Sequence, residues 1–347
     1  MPQITTEELR EFEGIGGVER QVGPATEWTD KVLQRILNGK NLSGIKLPWP
    51  CLESKFRLQE GSTSLMVAQT GVGKSMLSGM FTIHAMEQQY RALMISLEML
   101  VEESWERMAT QRSLVPAGMD EALDFARWAN DKLWFYNQTG TINFATLMAV
   151  IRYSVANFGI KFIVVDSLMT MGDIPPDDYR GQRRLMLALS IAARDMGIHI
   201  MLIAHARKGI SVEDKLDIYS ASGSADLTNL ASSVILLNKT PQSRKDRDAT
   251  APDMTFEIAK ARHFDITDTT LELWLDTASM NYQTKWDSPR KVGEDDDDET
   301  TERKGKGEEA ATVAEISVVE GVEDLSSRRR IKVDGRAWRG SDAVASG

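Results

Sequence analysis

The chain has 347 residues, 42% of them apolar, with one cysteine, four histidines and a formal net charge of -10. A lone cysteine excludes a disulfide framework and, beside so few histidines, leaves no Cys/His set for zinc. No run reaches the ~18 apolar residues of a membrane span and the first residues lack the basic and apolar regions of a secretory signal, so the expected setting is a cytoplasm with no membrane partner.

The acidic sum argues against a nucleic-acid binder that works by overall charge, but the charge is unevenly spread. Residues 285–347 hold 16 acidic and 12 basic side chains, so the remainder is only mildly acidic. A locally positive channel within a ring is compatible with that balance.

In chain order, residues 1–25 read as a loosely held arm. Thr5 and Glu8 have capping-box spacing, and a Gly-rich run and Gly23-Pro24 follow. Residues 26–60 form a linker helix and lead-in. From Thr26 to Asn38 one apolar stripe collects Trp28, Val32, Leu33, Ile36 and Leu37, with Thr26 as N-cap and Gly39 past the end. Such a helix packs either on its own domain or on a neighbouring subunit. Residues 45–60 are punctuated by proline and close on a Glu60-Gly61 turn.

The next stretch organises the chain. Leu65 to Ala68 is a buried-strand run, and the turn that follows delivers Lys74 and Ser75 to the start of a helix. The pattern GxxxxGK[S/T] holds with Ala68 in place of its first glycine. Ala68, Gln69, Thr70, Gly71, Val72, Gly73, Lys74, Ser75 and Met76 are therefore the expected nucleotide cradle. Gly71 and Gly73 let backbone N–H groups approach phosphate oxygens, and the helix N-terminus adds partial positive charge. Lys74 can reach the β- and γ-phosphates of ATP or another nucleoside triphosphate. The Ser75 hydroxyl suits Mg²⁺.

Beyond it the pattern predicts a helix over 75–88 and a strand over 92–97 that runs into Glu98. The segment 101–158 reads as mostly helical, with a strand near 133–136 and a helix over 144–157. A strand over 161–166 ends in Asp166, a helix covers 181–196, and a strand over 199–204 ends in His205. Strands over 234–237 and 256–260 follow, with a hairpin partner over 270–276. Alternation of near-continuous apolar strands with helices indicates an α/β fold, a mostly parallel central sheet flanked by helices over residues 61–283. Ligands of such sheets sit at the strands' C-terminal ends. Residues 284–347, with EDDDDE, a lysine-rich run and Arg328 to Arg330, have the composition of a charged, disordered tail.

Four strand ends then converge: the phosphate loop, Glu98, Asp166 and His205. Asp166 is placed to hold Mg²⁺, Glu98 to take a proton from an attacking water, and His205 to sense the γ-phosphate. Taken singly, each has a plainer reading as a cap, a surface acid or a core histidine.

The phosphate loop, ISLEM (95–99), VIRYSVANFGIKFIVVDSL (150–168), AARDMGIHIMLIAHARKG (192–209), ASGSADLTNLASSVILLNK (221–239) and IAKARHFDITDT (258–269) follow one another as in a known family. Over about residues 26–283 the chain resembles the RecA-like motor domain of DnaB-type replicative helicases. It looks closest to the helicase half of phage primase-helicases and to the mitochondrial helicase Twinkle. The resemblance implies a P-loop NTPase that forms a ring, most simply a hexamer, travels on single-stranded DNA and unwinds duplex. It implies Glu98 as catalytic base, Asp166 as the Walker B carboxylate and His205 as sensor. Lys260 and Arg262 would be the finger inserted into the next subunit's site. Arg207, Lys208 and Lys215 would belong to the DNA-binding loop.

No primase or zinc module is recognisable, so on this resemblance priming falls to a separate protein. The acidic tail is similar in character to those through which phage helicases contact a DNA polymerase. An ATP-switched DNA-binding protein, a recombinase or loader, would share the fold and the phosphate loop. A small-molecule kinase is disfavoured, since no acceptor lid or second basic clamp is evident.

Overall fold

The computed structural model describes residues 24–30, 32–33, 44–206, 215–218, 220, 225–240, 251–264 and 269–284. The arm, most of the linker helix, Arg207, Lys208 and the tail lie outside the described residues.

A nine-stranded sheet forms the centre, in the order β11-β10-β9-β8-β3-β7-β6-β4-β5. The strands are β3 (Ser62–Ala68), β4 (Ala92–Ser96), β5 (Leu133–Phe135), β6 (Phe162–Asp166), β7 (His199–His205), β8 (Ser233–Lys239), β9 (Met254–Ala261), β10 (Thr269–Asp276) and β11 (Asn281–Gln283). From β8 to β5 every pairing is parallel, whereas β8 to β11 are antiparallel. The expected mostly parallel sheet is therefore present, with strand limits within about two residues of the sequence reading.

Pleat alternation divides the core into two layers. Met66, Phe162, Val164, Met201 and Ile203 face one side, and Leu65, Val67, Ile163, Val165, Ile200 and Leu202 the other. Successive strand side chains point to opposite faces, so runs apolar at every position must be covered twice. Helices α1 (Lys74–Glu87), α2 (Val101–Ser113) and α3 (Met119–Ala129) supply residues to the first layer. Helices α4 (Phe144–Phe158), α5 (Tyr179–Met196) and α6 (Ala225–Leu230) supply the second.

Two pieces of the first layer have no clear periodic signal. A short antiparallel pair, β1 (Ile45–Lys46) and β2 (Arg57–Leu58), lies within the proline-punctuated lead-in. Its connecting turn buries Trp49, whose ring meets Phe81 and Phe256 at centroid distances of 5.7 and 4.9 Å. The Trp49 indole donates to Tyr282 O at 3.0 Å, so the lead-in and the last strand are tied across 233 residues. The described part of the linker differs from the sequence reading: a 3-10 turn, Ala25–Trp28, with Pro24 rather than Thr26 at its cap, leads into helix. Val32 and Leu33 are each 49% exposed, so this part of the stripe is not covered by its own domain.

One buried titratable group sets a pH dependence. His199 opens β7 with no solvent exposure; its Nδ1–H donates to Gln59 O at 2.8 Å, and its Nε2 has no partner. Burial lowers its pKa from 6.5 to about 4. The folded value lies below the unfolded one, so this contribution is whole above about pH 6.5, declines as pH falls towards 4 and changes no further below that. A displacement of that size corresponds to roughly 3 kcal/mol. The urea midpoint of wild type should therefore fall more steeply than that of His199→Gln between pH 6.5 and 4; parallel curves would exclude it.

Candidate active site

The parallel half of the sheet explains why the four strand ends meet. In space β3, β7, β6 and β4 are immediate neighbours, although β4 precedes β6 and β7 in sequence. Ala68 pairs with His205 and Ser96 with Asp166, so the strands end nearly level. The phosphate loop, His205, Asp166 and Glu98 thus line one edge.

The loop's departure from the usual first glycine is harmless. Ala68 is the last residue of β3, fully buried, and its carbonyl accepts from Ala206 N at 2.9 Å. Gly71 and Gly73 have φ of +77° and +102°, a region that side chains disfavour. At Gly73 there is also no room, because a Cβ would collide with the Tyr282 hydroxyl. Tyr282 is 5% exposed and lies against the loop backbone, its hydroxyl 3.5 Å from Val72 O. The sequence carries no signal for that buttress, which arrives from a strand more than two hundred residues away.

Lys74 opens α1 and is buried to 7% exposure. Its ammonium donates to Gln69 O at 3.2 Å and lies 3.3 Å from His205 Nδ1. Burial lowers its pKa, while Asp166 and Glu98 oppose that shift. Thr70 Oγ1 also lies 3.3 Å from His205 Nδ1. On the far side of the imidazole, Nε2 is 3.3 Å from Glu98 Oε1. With Nδ1 accepting and Nε2–H donating, one neutral tautomer serves both sides. Glu98 is held down to about 2, first by the hydrogen bond from His205, with a further contribution from Ser167 against the opposing effect of burial. It is ionised at neutral pH.

Asp166 is 3% exposed, and burial pushes its carboxyl up. Ser75 Oγ donates to Oδ2 at 2.9 Å, whereas Oδ1 is buried without a partner. An unpaired carboxylate oxygen at a buried site is costly unless something meets it. A hard oxygen donor beside the Ser75 hydroxyl fits Mg²⁺, which favours oxygen ligands and retains waters. Met76 begins the packed part of α1, and its carbonyl accepts from Gln111 Nε2 at 2.9 Å.

Lys260 and Arg262 are elsewhere. Strand β9 runs antiparallel to β8, so Ala261 pairs with Ser233 and Arg262 N donates to Ser232 O at 2.9 Å. Ser232 N in turn donates to Thr63 O, near the start of β3. The pair is thus about 16 Å of strand from the phosphate loop of its own chain, five residues at ~3.3 Å each. Lys260 Nζ donates to Thr228 O at 2.6 Å and Asn229 O at 2.9 Å, and the Arg262 guanidinium also reaches Asn229 O. Burial and the adjacent Arg262 lower the Lys260 pKa to about 8. Neither has a carboxylate partner among the described residues. Of the three DNA-loop candidates only Lys215 is described; it is exposed and pairs with Glu257 at 3.0 Å.

A phosphate loop on a parallel sheet, with an acidic pair and a histidine at the neighbouring strand ends, defines a P-loop NTPase of RecA-like fold. A family model described as "ATPase: KaiC" matches residues 51–276, and the chain belongs to that family of ATPases. No curated protein matches significantly. Among solved structures, the ATPase domain of a DnaB-like helicase superposes with TM-score 0.66 at 14% identity, over 75% of this chain and 98% of that one. A DnaB-like replicative helicase, solved for its interactions with primase, gives 0.63 at 16% identity, over 80% and 70%. The fold is that of DnaB-type motor domains.

The loop geometry has a direct test. Gly73→Ala incurs the left-handed backbone penalty of roughly 1–2 kcal/mol in addition to the Tyr282 collision. It should lower the thermal midpoint and weaken binding of a fluorescent ATP analogue at least tenfold. Wild-type affinity in this variant would contradict the described packing.

Proposed function

We propose that the chain is the motor of a ring-forming DNA helicase, a hexamer by analogy, that hydrolyses ATP or another nucleoside triphosphate to move on single-stranded DNA and part the duplex. The observation that carries this is the displacement of Lys260 and Arg262 from their own phosphate loop. Two cations resting on main-chain carbonyls at a subunit edge suit a finger that exchanges those carbonyls for a neighbour's γ-phosphate. The fold shared with a DnaB-like replicative helicase and the uncovered Val32 and Leu33 agree with a ring.

In this reading Lys74 and the backbone N–H groups from Gln69 to Met76 bind the phosphates. Ser75 and Asp166 hold Mg²⁺, which when bound neutralises phosphate charge. Glu98 takes a proton from water as its oxygen attacks the γ-phosphorus and the bond to the bridging oxygen breaks, releasing the diphosphate. His205, between Lys74 and Glu98, registers whether the γ-phosphate is present. Arg207, Lys208 and Lys215 contact the DNA backbone, which makes binding salt-dependent and indifferent to sequence.

A separate primase or a polymerase, reached through the acidic tail, would be partners in the cytoplasm, that of a bacterial host if the chain is phage-encoded. The matched family is defined by ATP hydrolysis rather than unwinding, so an ATP-switched recombinase or loader is the second reading.

Arg262→Ala should lower DNA-stimulated hydrolysis about 10³-fold or more, the scale of an arginine finger, while nucleotide affinity changes little. Mixing it with Glu98→Ala subunits should restore part of the activity, since some interfaces then combine an intact Glu98 with an intact Arg262. Co-assembled mixtures that stay inactive would remove the shared-site assignment. Forked-duplex unwinding by wild type separates the two readings: hydrolysis without strand separation favours the loader or recombinase.

A further inference from the structure

The end of β6 carries a second side chain aimed at the site. The β4–β6 ladder pairs Ser96 with Asp166, and Leu97 N donates to Asp166 O at 3.0 Å, extending the pairing one residue beyond the strands. Glu98 and Ser167 are the next residues out, and their side chains meet. Ser167 Oγ donates to Glu98 Oε1 at 2.6 Å. An ionised carboxylate only accepts, so the direction of this bond is fixed. Ser167 has no solvent exposure, so water does not compete for the hydroxyl.

Both chain ends are themselves anchored. Thr170 donates to Ser167 O through Oγ1 at 2.6 Å and through N at 3.1 Å, and Gly140 N donates to Leu97 O at 2.9 Å. The His205 ring approaches the same Glu98 oxygen, Oε1, at 3.3 Å. Two donors therefore hold Oε1, while Oε2 has no protein partner among the described residues. Gripping one oxygen sets the plane of the carboxylate and leaves the other free to accept.

We propose that Ser167 is a positioning residue for hydrolysis: it clamps Glu98 through Oε1 so that Oε2 is presented to the attacking water. This rests on the reading of Glu98 as the base. Ser167 acts only through Glu98, so its removal should slow turnover without loosening the nucleotide. A residue that merely fills a buried corner would weaken both together. A small misplacement of a reacting group costs up to about a hundredfold in rate, and loss of one of two anchors should cost roughly a tenth to a half of that.

The test is a double-mutant cycle in the full chain with Ser167→Ala, Glu98→Gln and the pair, measuring kcat, KM and the Kd of a fluorescent ATP analogue with and without magnesium. Ser167→Ala should lower kcat about tenfold or more while KM and both Kd values stay within about twofold. In the Glu98→Gln background it should change kcat by less than about twofold, because its effect is transmitted through the missing carboxylate. The proposal is overturned by an unchanged kcat in Ser167→Ala, by a Kd that weakens in step with kcat, or by an effect of full size in the Glu98→Gln background. Glu98→Gln turning over like wild type would remove the base assignment and this inference together. An inactive Glu98→Gln beside a fully active Ser167→Ala would remove this inference alone.

Discussion

A sheet covered on both faces has no place for charge except at its ends. Every side chain along β3, β6 and β7 points into one of two apolar layers, and an unpaired ion there would cost several kcal/mol. Lys74, Glu98, Asp166 and His205 all sit where strands stop or just beyond. Because the neighbouring strands are parallel, those stops fall along one edge. The site thus follows from the packing rule that builds the core.

That edge is internally wired. Lys74 touches His205, His205 touches Glu98, Glu98 touches Ser167, and Ser167 is bonded in sequence to Asp166. A phosphate that draws Lys74 away from His205 therefore alters the environment of Glu98. Pairing on one side and desolvation on the other divide the two acids. Glu98 accepts from two donors and stays ionised, whereas buried Asp166 keeps an oxygen without a partner. One carboxylate suits proton abstraction and the other suits a cation.

Much of this is legible locally. A glycine turn after an apolar strand, a lysine and serine at a helix start, and a polar residue at the end of each apolar run are short-range signals. What escapes has no short-range signature. Trp49 lies among prolines, yet it bridges two phenylalanines and the last strand. Tyr282 is an ordinary aromatic until its hydroxyl occupies the space that makes Gly73 obligatory. Ser167 reads as a residue after an acidic strand end; only the register of β4 against β6 turns it towards Glu98.

The finger pair marks the boundary most clearly. The motif order alone was enough to single out Lys260 and Arg262, since it depends only on residue types and spacing. Antiparallel pairing of β9 with β8 is a tertiary fact, and it carries both side chains to the edge opposite their own phosphate loop. Apolar periodicity and turn chemistry are written in neighbouring residues, so they determined the sheet, the loop and the candidate acids. Strand order, register and direction depend on contacts between residues far apart in the chain, so only the folded structure decided which of those residues share a site and which face away from it.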